Sequence, residues 1–291
     1  MRITDKMTLD FARQGQSRAL RQFADASRVA SSGLRVNAPS DDPVAWSMKV
    51  RHDAQIQRMD NRTRTLTRAG SDLDTAESVL SSAGDVLEGA RALAVQLASG
   101  TVDARTRASL SGQVTSMRDT LLSFANSRGA SGYLFGGTAT GTPPFSAAGA
   151  FTGNDTAVPV EIADGVTARS NASGAQAFTV AGGRDILADL QAFATALSTN
   201  NVAGIQASID NLDAGHRQIV TAQVTTGIAA ERLHSAIDVT TASILSVTRA
   251  RASETEADIT TAYTALSSTQ AGYERSIAVT REILQVSSLT R

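Results

Sequence analysis

The chain has 291 residues, of which 42% are hydrophobic but only 4% aromatic, and its formal net charge is −1. With no Cys there can be no disulfide, thiolate metal site or Cys nucleophile, and His52, His216 and His234 lie too far apart in sequence for a local metal pair. No apolar run approaches the ~20 residues that span a bilayer, and a core poor in rings suits slender helical rods packed on Leu, Ala and Val better than a large compact enzyme.

The first element reads as an amphipathic helix. Leu9, Arg13, Gln16, Leu20, Phe23, Ser27, Ala30 and Leu34 follow a 4,3 spacing, a coiled-coil seam with only four apolar members among eight. Arg2, Lys6, Arg13 and Arg18 interrupt the first twenty residues, so no apolar core of a cleavable signal peptide is expected there. The run Ser31-Ser32-Gly33-Leu34-Arg35-Val36-Asn37-Ala38-Pro39-Ser40-Asp41-Asp42-Pro43 then gathers helix breakers and capping side chains. Pro39 disfavours helix at Ala38, and Ser40 to Asp42 can cap a helix whose first turn accepts Pro43. An elbow between two helices is expected.

From Val44 to about Ser99, Met59, Leu66, Leu73, Leu80 and Leu87 recur every seven residues, followed at three residues by Ala69, Ala76, Ala83, Ala90 and Leu97. This predicts one long helix, about 80 Å at 1.5 Å per residue. A second helix from about Asp103 to Ser127 places Leu110, Val114, Met117, Leu121 and Phe124 on one face and is expected to fold back antiparallel. Residues 129–183 hold eleven of the 22 Gly and three of the five Pro. Within them Gly132–Gly137, Val158–Ile162 and Ala177–Ala181 read as short strands between turns. The glycines of 136–142 lack the Lys of a phosphate-binding loop and are read as turn formers. Asp185 looks like an N-cap, and helix is expected over 186–197 and, after a pause near Asn200-Asn201, from about Ile205 to Leu289. Ile205, Ile209, Leu212, Ile219, Ile228, Leu233 and Ile237 supply its apolar positions. At its end Ile259, Tyr263, Leu266, Gln270, Tyr273, Ile277, Thr280 and Leu284 repeat the 4,3 seam.

Catalytic chemistry is not visible. Asp41-Asp42 reads as a pair of backbone acceptors, Glu254, Glu256 and Asp258 alternate on a helix and share no face, and the many Ser and Thr have no His held beside them. Charge is uneven: residues 1–68 carry thirteen Lys/Arg against seven Asp/Glu, residues 185–291 seven against eleven, giving +6 and −4. Opposite signs favour pairing of the two ends. A basic N-terminal arm for nucleic acid is the rival reading, although its cations alternate with core-type residues and lack stacking aromatics.

The run Ser31 to Asn37 followed by Asp41-Asp42 resembles the N-terminal signature of bacterial flagellins and hook-associated proteins. Pro39 and Pro43 around Ser40-Asp41-Asp42, Asn126, Tyr133-Leu134-Phe135-Gly136-Gly137, Pro144-Phe145 and Thr152-Gly153-Asn154-Asp155 are similar to the hook–filament junction branch, the hook-associated protein 3 family. Gly227 with Glu231-Arg232-Leu233, then Glu256, Asp258, Tyr263, Leu266, Gln270, Tyr273 and Ser288-Leu289, extend the resemblance along the chain. Ser288-Leu289-Thr290-Arg291 departs from it in lacking an apolar tail.

The resemblance implies a mainly α, elongated flagellin-like helical bundle or coiled coil made from both chain ends, with a small β-rich inserted domain. The expected division is 1–43 with 250–291 as the assembly domain, 44–128 with 185–249 as the helical rod, and 129–184 as the insertion. The implied role is structural, without catalysis, cofactor or metal: a subunit at the hook–filament junction of the extracellular bacterial flagellum, exported by the type III route with no cleaved signal peptide. Implied partners are another hook-associated protein on the hook side, flagellin on the filament side, copies of itself in a ring and an export chaperone in the cytoplasm; nucleic acid and membrane are not expected. Alternatives are a filament flagellin and a cytosolic coiled-coil adaptor. Assembly contacts are expected at Leu20, Phe23, Leu34, Ile259, Tyr263, Leu266, Tyr273, Ile277 and Leu284, and the elbow motif at Ser32, Gly33, Asn37, Pro39, Asp41, Asp42 and Pro43. Because the terminal seams hold few apolar residues, they are expected to order on packing beside neighbouring subunits.

Overall fold

A computed structural model describes the backbone of residues 2–289 and the side chains of residues 7–285; Met1, Thr290 and Arg291 lie outside the described residues, as do the side chains of Ser288 and Leu289. The fold is mainly α. Its elements are α1 (Arg2–Ser32), α2 (Pro43–Leu97), α3 (Ala104–Ala125), β1 (Arg128–Gly129), β2 (Gly132–Tyr133), β3 (Pro159–Ala163), β4 (Val166–Arg169), α4 (Gly174–Phe178), α5 (Ile186–Ser198), α6 (Val202–Thr255) and α7 (Ile259–Leu289). The chain divides into two compact units, 1–58 with 243–291 and 59–242, and α2 and α6 have a segment in each.

In the 59–242 unit the core follows the seven-residue repeat of α2. Leu66, Leu73, Leu80 and Leu87 are buried, and Ala76, Ala83 and Ala90 fill the alternate positions. Small residues at every second layer let neighbouring helices approach closely. α3 returns antiparallel, since its first turn meets the end of α2 through Arg107 while a Cβ on Gly89 would touch Met117 further along. Asp103 caps α3 by accepting from the Thr106 amide at 2.8 Å. Arg107 is buried and has no carboxylate among its hydrogen-bond partners. Its guanidinium donates to the Leu97 carbonyl at 3.0 Å, the Ser99 carbonyl at 2.8 Å and Asn200 Oδ1 at 2.7 Å, so one side chain ties the α2–α3 turn to the turn before α6. α5 packs on α3 and contributes Leu190, Phe193 and Leu197. From α6 come Ile205, Leu212, Ile219 and Leu233, whereas Ile228, expected to face the core, is exposed.

The segment between α3 and α5 is less β-rich than its composition suggests. Its sheets are two-stranded, β1 with β2 and β3 with β4, both antiparallel. Only the first two residues of the expected strand 132–137 are extended. Gly137 then turns with φ +66°, where a Cβ would collide with Asn154. The expected strand 177–181 is helical instead: Ser173 accepts from the Gln176 amide at 3.0 Å and starts α4, and a 3-10 turn follows over Val180–Gly182. α4 delivers Phe178 to a ring cluster, 5.3 Å from Phe135 and 5.7 Å from Phe145, with Phe151 5.1 Å from Phe145. Asn126 fixes Phe145 by donating to its carbonyl and accepting from its amide, both at 3.0 Å. These rings belong to the same buried cluster as Leu80, Leu121 and Leu190, so the loop-dominated segment is anchored on the helical core.

In the other unit α1 packs against α7. The expected continuous helix to Leu289 is interrupted, because α6 ends at Thr255 and Asp258 starts α7 by accepting from the Thr261 amide at 2.7 Å. Glu254, Glu256 and Asp258 therefore do not alternate along one helix, as the sequence suggested. Among the described residues no helix is long and apolar enough to cross a membrane.

Truncating a fully buried member of the α2 repeat tests this core. Leu80→Ala should destabilise the fold by about 2–5 kcal/mol in urea denaturation, whereas an exposed change such as Ser81→Ala should stay within about 0.5 kcal/mol.

Candidate assembly site

The elbow between α1 and α2 is built by backbone acceptors and two carboxylates. Gly33 ends α1 with φ +69°, its amide bonded to the Val29 carbonyl at 2.9 Å, the usual conformation of a glycine after a helix. Ser32 Oγ accepts from the Leu34 amide at 3.1 Å. Asn37 Nδ2 donates to the Leu34 carbonyl at 2.7 Å, while Asp41 Oδ2 accepts from the amides of Asn37 and Ala38, both at 2.9 Å. Asp42 Oδ1 caps α2 by accepting from Val44 and Ala45, and Pro43 takes the first helical position, where its missing N–H costs nothing. Pro39 is exposed and keeps the chain before it out of helix.

This elbow docks on the break between α6 and α7. The amides of Arg35 and Val36 donate to the Thr255 carbonyl at 2.8 and 3.2 Å, and the Ala257 amide donates to the Gly33 carbonyl at 2.9 Å. Arg35 spans both sides, with one nitrogen on Asp42 Oδ2 at 3.0 Å and the other on the Glu254 carbonyl at 2.6 Å. Val36, fully buried, and Thr255 fill the centre. Beneath them Asp53 accepts from Lys49 and Arg251, each at 2.8 Å.

The same hydrogen bonds set the acidity of these groups. The Ala38 and Asn37 amides hold Asp41 below the ordinary carboxylate value of 3.8. The Ala45 amide, then Arg35, does the same for Asp42, and the Thr261 amide for Asp258. Among the described residues no three His, Asp or Glu could together hold a metal ion.

The terminal helices meet on a register offset from the expected seam. In α1 the half-buried residues include Leu9, Ala12, Gln16, Ala19, Phe23, Ala26 and Ala30, a 3,4 repeat in which alanines stand in for Arg13 and Leu20 and Ala26 joins Ser27. In α7 they include Leu266, Thr269, Tyr273, Ser276, Thr280 and Ile283, with Ala262 buried and Gly272 and Ile277 beside them. The rings of Phe23 and Tyr273 stack 6.0 Å apart at an interplanar angle of 4°. Of the nine residues expected to make assembly contacts, Phe23, Leu34, Leu266, Tyr273 and Ile277 are half-buried in this unit. Leu20, Ile259, Tyr263 and Leu284 are 47%, 67%, 61% and 46% exposed, joined by Met7, Phe11 and Val279, which the seam pattern did not mark. For two of them the signal was available: Phe11 and Val279 are large apolar residues one step off the seam positions Ala12 and Thr280.

Residues 4–140 match the family model of the bacterial flagellin N-terminal helical region. The chain is 32% identical over 183 residues to flagellar hook-associated protein 3 of Salmonella typhimurium, covering 61% of this chain and 57% of the relative. To the hook-associated protein 3 of Escherichia coli it is 35% identical over 150 residues, 50% and 46% of the respective chains. The N-terminal part of the chain is thus similar to the flagellin N-terminal helical region. The chain spans about half the length of the curated relatives it matches. The fold is similar to that of the crystal structure of FlgL of Xanthomonas campestris, at a TM-score of 0.61 and 16% identity, covering 70% of this chain and 99% of that one. On this fold the Pro-flanked, acid-capped elbow and the break at 256–258 form one joint.

Because folding lowers the pKa of Asp41, Asp42 and Asp258, their contribution to stability is present above the unfolded value near 3.8 and is lost as pH falls through the lowered folded values. Trp46, the single tryptophan, lies one turn into α2. Its fluorescence should change below pH 3.8 before the far-UV helical signal collapses, and Asp42→Ala should produce the altered emission already at neutral pH.

Proposed function

We propose that this chain is a structural subunit of the bacterial flagellum, placed at the junction between hook and filament, and that it carries no catalytic activity. The observation behind the reading is the set of large apolar side chains that the terminal helices leave exposed, Met7, Phe11, Leu20, Ile259, Tyr263, Val279 and Leu284, on the flanks of a seam rich in small residues. Large apolar side chains in such number on a helix pair favour protein contact, and contacts that repeat without closing on themselves suit an axial polymer. That the relatives are hook-associated proteins supports the junction as the location.

In this reading the chain is exported unfolded by the type III route without cleavage of its N-terminus and is held by a chaperone before export. Outside the cell, copies form a ring between another hook-associated protein and the first flagellins. Residues 1–43 and 250–291 make the assembly domain, 44–128 and 185–249 the rod, and 129–184 the insertion. Leu20, Ile259, Tyr263 and Leu284 contact neighbours, while Phe23, Leu34, Leu266, Tyr273 and Ile277 hold the two terminal helices together for that contact.

Two measurements test this. Hydrogen exchange on the purified monomer should show residues 1–40 and 250–291 exchanging faster than 46–125, with protection gained on addition to capped hook segments. Leu20→Glu with Tyr263→Glu should leave the helical signal of the monomer intact and reduce that addition by about tenfold or more, since each buries a charge at the contact. Filament formation by the purified chain alone would identify a filament flagellin instead, and terminal helices as protected in the monomer as α2 would favour a self-contained adaptor.

A further inference from the structure

A groove of about 520 Å³ lies between α6 and the segment that joins β4 to α4. One wall is α6 from Gln218 to Arg232, carrying Thr221, Thr225 and Ile228; the other carries Arg169, Ser173 and Gln176. The volume is that of an ordinary ligand site. Its shape is not that of a site for a small ion, because the fourteen residue steps along α6 measure about 21 Å at 1.5 Å per step. That is the length of about six extended residues.

The chemistry of the walls is one-sided. The lining includes two arginines and no carboxylate, the rest being amides, hydroxyls, alanine, glycine and isoleucine. Arg169 is anchored, donating to Asp155 Oδ1 at 2.9 Å and to the Asn171 carbonyl at 3.0 Å, and Asp155 also accepts from Ser173. That end of the groove is thus partly neutralised. Arg232, at the far end, is exposed and lies in no ion pair of the described residues. Between them Ile228 is 52% exposed. An unpaired cation, an exposed aliphatic side chain and neutral hydrogen-bonding groups along 21 Å complement an extended chain that carries acidic and aliphatic residues.

We propose that this groove docks an extended acidic peptide segment of a partner protein, with a carboxylate on Arg232 and an aliphatic side chain against Ile228. The site lies wholly within 59–242 and does not depend on the terminal helices or on the flagellar role.

The probe is a fluorescein-labelled octapeptide of alternating Glu and Val, titrated with the full chain by anisotropy. Binding should weaken about tenfold for Arg232→Glu, the weight of one charge-assisted contact, and comparably for Thr225→Tyr, which fills the groove from an exposed position. Both variants should retain the far-UV helical signal, and the Lys-Val analogue should not bind. The proposal is overturned if no anisotropy change is seen at millimolar chain, if both variants bind like the parent, or if the Lys-Val peptide binds equally. Free glutamate competing as well as unlabelled octapeptide would overturn it in favour of a small-anion site.

Discussion

The joint of Gly33–Val36 with Thr255–Ala257 is the constraint on which the terminal helices depend. A helix end leaves carbonyls or amides without partners, and two helix ends lie here together. The end of α6 presents the Thr255 carbonyl to two amides of the elbow, and the elbow returns the Gly33 carbonyl to the Ala257 amide. α1 leaves from one side of this exchange and α7 from the other, so their antiparallel approach is fixed before any side chain of the seam is considered. Arg35 adds a charge-assisted bridge that joins the α2 cap to the α6 terminus.

With direction supplied by the joint, the seam itself need not be strongly apolar. Ala12, Ala19 and Ala26 of α1 and Ala262, Thr269 and Ser276 of α7 bring the two backbones close, with the Phe23–Tyr273 stack as the large contact. Close approach of this kind buries little area per layer. It also displaces the larger side chains outward, so Phe11, Leu20 and Tyr263 stay in contact with water. A weak inner seam and an apolar outer face are two results of one register.

The elbow was legible because its information is local: Gly33, Pro39, Asp41, Asp42 and Pro43 each act on their own or adjacent backbone groups. The α2 repeat was legible because Leu and Ala recur at seven for five turns of the pattern. The break at 256–258 was not, because it contains neither Gly nor Pro and is held by a partner more than two hundred residues away, with the Asp258 cap as its sole local sign. The seam register failed for a related reason. A 4,3 template scores the larger apolar residue of each adjacent pair, whereas helices converging at a fixed joint select the smaller one, Ala19 rather than Leu20 and Ala262 rather than Tyr263. At 177–181 the aromatic and β-branched residues suggested a strand, but Ser173 had already started a helix that packs Phe178 into the ring cluster.

Arg107 differs from the elbow in the kind of partner it uses. Its acceptors are two main-chain carbonyls and a side-chain amide, none of which titrates, and guanidinium stays protonated throughout the range in which proteins are handled. The Arg107 contacts that tie α2, α3 and the start of α6 are therefore indifferent to acid and, being buried, little screened by salt, whereas the Asp103 cap beside them, held below the ordinary carboxylate value by the Thr106 amide, is not. The molecule thus has two fastenings of opposite character: a carboxylate-dependent one at the elbow, which protons can loosen, and a neutral-acceptor one at Arg107, which they cannot. Acid would loosen the elbow while the Arg107 contacts held, so the two ends of α2 would respond to protons unequally.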